Sequence, residues 1–213
     1  VGSRYKLVIF DMDGTLVEQR SSWSWLHHYF RTFEGENRRL RLYAEGRMTY
    51  EDFMAEDIRS WPQPLHVTEV AWALSSCKVR PEARRVVGKI REMGVEVAMA
   101  TSGLDLLADR VAKKLGIKHY ICNSLDVDEL GYLTGRGIMR VEPKGKDKAA
   151  RSLASKLGVR LSETVGVADH EFDRAFLESV GLGIVFNNRE LAEKARLPLI
   201  TSLEEVPGYL HQA

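Results

Sequence analysis

Cysteine is nearly absent: among 213 residues there are two, Cys77 and Cys122, and they lie far apart. That excludes a disulfide scaffold and the paired spacing of a structural zinc site, and predicts two reduced core thiols. Long apolar runs are missing too. None approaches the roughly 18 residues that a membrane span requires. Nor does either sign of charge dominate, with 31 Lys and Arg against 30 Asp and Glu for a net charge of +1. So even a balance gives no general electrostatic case for nucleic acid as a partner. The N-terminus carries no basic stretch followed by an apolar one and a small-residue cleavage site, so the expected location is the cytoplasm, away from any membrane. No repeat or low-complexity tract is visible, and a 44% hydrophobic, 29% charged composition describes an ordinary globular chain long enough for one substantial core and a smaller inserted unit.

What is present begins at Lys6–Val17, KLVIFDMDGTLV. The run to Phe10 is short, branched and apolar, as in a strand buried on both faces, and it stops at Asp11. Asp13 and Gly14 follow, the glycine supplying a tight turn, so two acids stand where a strand of an α/β sheet ends and where such sheets bind ligands. Carboxylates this close repel one another. A hard cation with oxygen ligands, Mg²⁺ being the natural candidate, relieves that repulsion.

Beyond Val17 the pattern changes. No convincing strand is read before Lys78; helical segments are predicted around Ser24–Phe33, Asn37–Glu45, Tyr50–Trp61 and Val67–Ser76, with Thr49 as an N-cap and Pro62 and Pro64 as breaks. From Pro81 onward helix and strand alternate. Strands are expected at Val95–Ala100, His119–Cys122, Thr164–Val167 and Gly183–Phe186, and the glycines within Leu125–Val141 suggest a β-hairpin. Helices are expected from Pro81 to Met93, from Gly103 to Leu115, from Asp147 to Leu157 and after Asp169, and a short strand and helix close the chain. The fold class that follows is α/β, a Rossmann-like doubly wound parallel sheet with an inserted helical unit. Residues 1–16 and 81–213 make the core domain and 17–80 the insert.

Three later clusters carry chemistry. Thr101, Ser102 and Gly103 end a strand and offer hydroxyls and free N–H groups to a phosphate. Lys144, Lys146 and Lys148 supply cations ahead of the Asp147 helix. Asp169 and Asp173 follow the Thr164 strand.

Together these resemble the four motifs of the haloacid dehalogenase superfamily, in order and over most of Tyr5–Asn187, and are most similar to its phosphoserine phosphatase-like branch, which carries a helical cap. The resemblance implies that Asp11 attacks phosphorus and Asp13 serves as general acid and base. It implies that Ser102, with Thr101 and Gly103, binds phosphate, and that Asp11, Asp13, Asp169 and Asp173 hold Mg²⁺. Family spacing selects Lys146 as the catalytic cation, while the local KGK makes Lys144 a rival in the phosphate site. The implied reaction is hydrolysis of a small phosphomonoester through an aspartyl-phosphate, beneath a cap that opens and closes. Two other readings stand beside it: a phosphomutase, and a binding or regulatory module with a decayed site. The second rests on the fourth motif, where ADHEFD at 168–173 keeps both acids but lacks the family's glycines and asparagine; His170 there reads as an extra ligand or as a surface histidine.

Substrate choice is implied at two cap positions. Phosphoserine-specific relatives place an acid for the substrate ammonium and an arginine for its carboxylate where Arg20 and Asp57 fall here. Both charges are inverted, so a substrate other than phosphoserine, such as a phosphorylated hydroxy acid or sugar, is expected. The aromatic run Trp23, Trp25, His27, His28, Tyr29 and Phe30 has two readings, a pocket for a ring-bearing substrate or the core of the cap.

Overall fold

Leu7, Val8, Ile9 and Phe10 have no solvent exposure, and this strand, β1 (Leu7–Phe10), is the centre of the molecule. In the computed structural model, which describes residues 3–210, β1 pairs in parallel with β2 (Glu96–Leu104) on one side and β5 (Thr164–Ala168) on the other. Its side chains alternate between two cores, as strand geometry demands. Leu7 and Ile9 join Ala98, Ala100, Ala168 and Val185 on one face; Val8 and Phe10 join Val97, Met99, Val165 and Val167 on the other.

The remaining strands are β3 (His119–Val127), β4 (Leu133–Ile138), β6 (Leu182–Phe186) and β7 (Leu199–Ile200), and the sheet order is β4-β3-β2-β1-β5-β6-β7. Only the β3–β4 pair is antiparallel. From β1 the chain winds outward through β2 and β3, then crosses back to β5 and winds outward through β6 and β7. This reversal beside β1 is the switch point of a doubly wound α/β sheet, the fold class expected.

Four helices fill the interval between β1 and β2 before a fifth begins: α1 (Ser22–Phe30), α2 (Glu36–Ala44), α3 (Tyr50–Ser60) and α4 (Val67–Ser75), followed by α5 (Ala83–Glu92). Thr49 caps α3 as read, its hydroxyl accepting from the Asp52 N–H at 3.1 Å. The aromatic run divides. Trp23 and Phe30 pack with Trp61, and His27 lies against the same ring, which is the core reading, whereas His28 and Tyr29 are exposed. The later helices are α6 (Asp105–Leu115), α7 (Lys146–Lys156), α8 (Arg174–Ser179), α9 (Arg189–Ala195) and α10 (Val206–Leu210). No helix among the described residues is long and apolar enough to cross a membrane. Cys77 and Cys122 are free and buried, and burial pushes both thiols up to about 12.

Two of the differences from the sequence reading concern strand ends. Gly103 does not open a helix; β2 runs on through Thr101, Ser102 and Gly103 to Leu104, and α6 starts at Asp105. The cause is a register shift after Ala100 that lets Leu104 pair with Asn123 and bury completely. His119–Cys122 and the first arm of the expected hairpin are one strand of nine residues. Its first part pairs with β2 and its last with β4.

Candidate active site

Asp11 stands one residue past β1, its N–H still bonded to Val167 O of β5 at 2.9 Å, and Asp169 stands one residue past β5. The switch point therefore brings together, from adjacent strands, two carboxylates separated by more than 150 residues. Asp173, in the turn before α8, is the third. One oxygen from each of Asp11, Asp169 and Asp173 fits within 4.8 Å of the others, and all three residues are buried. Gly14 makes this approach possible: at φ +74° it sits so close that a Cβ would lie 2.2 Å from Asp169 Oδ2.

Lys146, the first residue of α7 and 4% exposed, reaches into the cluster. Its Nζ lies 2.7 Å from Asp11 Oδ1 and 2.5 Å from Asp173 Oδ1. Burial opposes the charge on this ammonium, but Asp11 and Asp173 outweigh it and hold the lysine above its ordinary pKa. Lys144 points elsewhere. Its Nζ donates to the carbonyls of Tyr43 and Ala44 at 3.1 and 2.7 Å, which removes it from the phosphate site in which it was a candidate. Lys148 is exposed.

Burial, with repulsion from Asp173 added to it, raises the pKa of Asp11 well above its ordinary value and that of Asp169 to about 6. Three carboxylates thus face one ammonium, and Asp173 Oδ2 is buried without a hydrogen-bond partner. This donor set, all oxygen and under-neutralised, fits a hard divalent cation such as Mg²⁺. Asp13 is not in the set. Its carboxylate turns toward the helical insert, where Oδ2 accepts from both the N–H and the hydroxyl of Ser22 at 2.9 and 2.7 Å, so the expectation that its side chain joins the metal ligands is corrected. Burial raises its pKa as well.

Thr101 and Ser102 both line the cavity in front of Asp11, together with Asp13, Arg20, Ser21, Lys146, His170 and Phe172. Because β2 continues past them, they are presented by extended backbone and not by a helix N-terminus. Gly103 N–H bonds to Thr101 Oγ1 at 2.9 Å, and a Cβ on Gly103 would meet Met12 at 2.7 Å. The Ser102 carbonyl is held by three donors: Trp23 Nε1, Tyr50 O–H and Asn123 Nδ2, at 3.2, 3.2 and 3.0 Å.

Of the two specificity positions, Arg20 lines this cavity and Asp57 does not. Asp57 is fully buried inside the insert, where Arg39 Nε pairs with it and His27 Nε2 stands 3.1 Å away. Its charge is neutralised there, so it is not available to a substrate. His170 Nδ1 accepts the Phe172 N–H at 3.1 Å, and His170 is absent from the carboxylate cluster.

Several supporting residues were missed. Ser22 aims Asp13, Thr15 Oγ1 donates to Asp169 Oδ1 at 3.2 Å, Asn188 Nδ2 donates to Asp169 O at 2.7 Å, and Asn123 ties β2 to Val141. Thr15 alone had a sequence signal, standing beside the acids of the first motif. The others act through backbone proximity that no spacing rule reveals.

Among curated proteins, the chain is 29% identical over 188 residues to the phosphoserine phosphatase of Archaeoglobus fulgidus, covering 87% of this chain and 54% of that one. It is 27% identical over 195 residues to the phosphoserine phosphatase of Methanocaldococcus jannaschii, covering 89% and 90%. The chain spans about half the length of the first three curated relatives, 54%, 44% and 46%. Its fold matches a solved phospho-aspartyl intermediate analogue of phosphoserine phosphatase with a TM-score of 0.82 at 23% identity, over 97% of this chain and 99% of that one. Residues 8–178 match the model of the haloacid dehalogenase-like hydrolase family, a span that holds every carboxylate of the cluster and Lys146, and the chain belongs to that family.

Proposed function

We propose that this protein is a Mg²⁺-dependent phosphatase that hydrolyses a small phosphomonoester through an aspartyl-phosphate on Asp11. The observation that carries the reading is the Asp11–Lys146–Asp173 arrangement, with Asp169 beside it at the sheet's switch point. Lys146 engages Oδ1 of Asp11, which leaves Oδ2 to attack phosphorus. As that O–P bond forms, the bond to the alcohol oxygen breaks, and Asp13, whose pKa burial raises, gives a proton to the leaving oxygen. A water then attacks phosphorus and loses a proton to Asp13 as the bond to Asp11 breaks. Asp11, Asp169 and Asp173 would hold Mg²⁺, which when bound supplies positive charge against the phosphoryl oxygens. Lys146 adds a fixed charge in a site too buried to screen it.

Residues 17–80 read as a cap over this chemistry. Tyr50, Trp23 and Ser22 from that segment touch Ser102 or Asp13, so closure would complete the site.

The named relatives point to phosphoserine, and Arg20 argues against it. Among the described residues no ion pair involves Arg20, and a free guanidinium on the cavity wall repels an ammonium and donates to oxygen acceptors, anionic ones most strongly. With Asp57 withdrawn into the insert, Arg20 carries this preference alone. The test is phosphate release from a panel of phosphorylated metabolites with Mg²⁺, with and without a chelator, beside Asp11→Asn. Chelator-sensitive release that the variant lacks supports the reading; no release from any substrate with several divalent metals contradicts it.

A further inference from the structure

The cavity in front of Asp11 encloses about 70 Å³. On the scale at which one water needs about 10–15 Å³, that space takes a phosphoryl group and the first atoms of its alcohol. A larger alcohol extends beyond it. A second cavity of about 370 Å³ adjoins it and is lined by Gln19, Arg20, Ser21, Ser24, Trp25 and His28. Arg20 and Ser21 belong to both walls, so the two spaces meet at the start of α1.

The outer cavity has a distinct chemistry. The ring centroids of Trp25 and His28 stand 5.7 Å apart at a tilt of 31°, and both residues line this space. Trp25 is fixed there because its Nε1 donates to Ala73 O of α4 at 3.0 Å. The polar groups around it are largely engaged: Ser21 Oγ accepts the Ser24 N–H, Ser24 Oγ donates to Glu36, and Gln19 Oε1 accepts the Lys78 N–H. Arg20 is the free charged group. The wall therefore offers two aromatic residues and one cation to what leaves the phosphate.

We propose that this outer cavity is the leaving-group subsite, and that it takes a phosphomonoester whose alcohol bears a planar aromatic or heterocyclic ring, stacked on Trp25 and His28, with Arg20 bonded to an oxygen on the stretch between ring and phosphate. This rests on the phosphatase reading for the inner pocket and adds the substrate class. A three-carbon substrate would leave both rings uncovered and gain nothing from them.

The test compares two ring-bearing substrates, phenyl phosphate and adenosine 5′-monophosphate, with phosphoglycolate and glycerol 3-phosphate, in the parent protein and in His28→Ala and Trp25→Leu. His28 is exposed, so its variant folds even where the Trp25 change disturbs α1. The expected result is a KM for at least one ring-bearing substrate raised on the order of tenfold, the scale of one lost ring stack, with kcat and both small substrates unmoved. Equal effects on both classes, or none, overturn the subsite. Binding is read separately in Asp11→Asn, where either ring-bearing compound should shift the His28 ring proton resonances and phosphoglycolate should not. Those shifts without turnover of any substrate by the parent protein would leave the subsite standing and remove the phosphatase reading. Turnover without them does the reverse.

Discussion

Ser22 donates to one oxygen of Asp13 twice, through its backbone N–H at 2.9 Å and its hydroxyl at 2.7 Å. The first residue of α1 thereby aims the acid of the first motif, while Asp13 Oδ1 stays buried and unpartnered. Ser22→Ala deletes one of the two bonds. Stability should fall by about 1 kcal/mol, and kcat should fall on the order of tenfold or more, because an acid free to rotate spends less time at the leaving oxygen. Thermal unfolding and steady-state kinetics read the two effects; an unchanged kcat would mean that the aim of Asp13 does not matter.

The two lysines should separate cleanly. Lys146→Ala leaves Asp11 and Asp173 buried without their cation and should cost on the order of 10²–10³ in kcat, with a clear loss of stability. Lys144→Ala removes bonds to the Tyr43 and Ala44 carbonyls and the ammonium's contacts with the Tyr43 and Phe172 rings, none of them to the carboxylate cluster, and should stay near parent activity. The opposite order would make Lys144 the catalytic cation.

How much of this was legible beforehand depended on whether the signal was local. Asp11, Asp13 and Asp169 stand out because they follow apolar strands, whereas Asp173 and Lys146 came from the resemblance to the family's motifs and spacing; the alternation of elements pointed to the doubly wound sheet. Register was not readable. The shift after Ala100 that carries β2 through Ser102 is a property of its pairing with β3, and so the helix was started too early. Asp57 failed for a different reason: its partner Arg39 lies on another helix, and counting from a relative cannot tell an outward from an inward carboxylate by one helical turn. Lys144 was likewise ambiguous until its carbonyl partners were known.

Inverting Arg20 tests the source of selectivity. In Arg20→Glu the cavity wall gains an acceptor for an ammonium, so kcat/KM for O-phospho-L-serine should rise and that for phosphoglycolate should fall, each by on the order of tenfold, about 1.4 kcal/mol. If the parent protein already prefers phosphoserine clearly, the charge argument at Arg20 is wrong.

The metal-free protein should show the strain of its carboxylates in its pH dependence. Asp169 has a folded pKa of about 6 against an ordinary 3.8, so the native state binds more protons than the unfolded one between those values. Stability from this group is therefore present below about pH 4 and lost as pH rises through about 6. Asp169→Asn removes that loss. Chemical unfolding in chelator should show the variant gaining on the parent between pH 4 and 7, and Mg²⁺ should stabilise the parent more than the variant at pH 7. A constant difference across that range, with equal response to Mg²⁺, would contradict the placement of Asp169.

The most direct measurement is to quench the working enzyme in acid within one turnover, reduce it with borohydride and locate the change by mass spectrometry. Borohydride converts an aspartyl-phosphate to homoserine, so the account predicts homoserine at residue 11, only when substrate and Mg²⁺ were both present. Full turnover with residue 11 still aspartate in every quenched sample, or homoserine at Asp13 or Asp169, would contradict it.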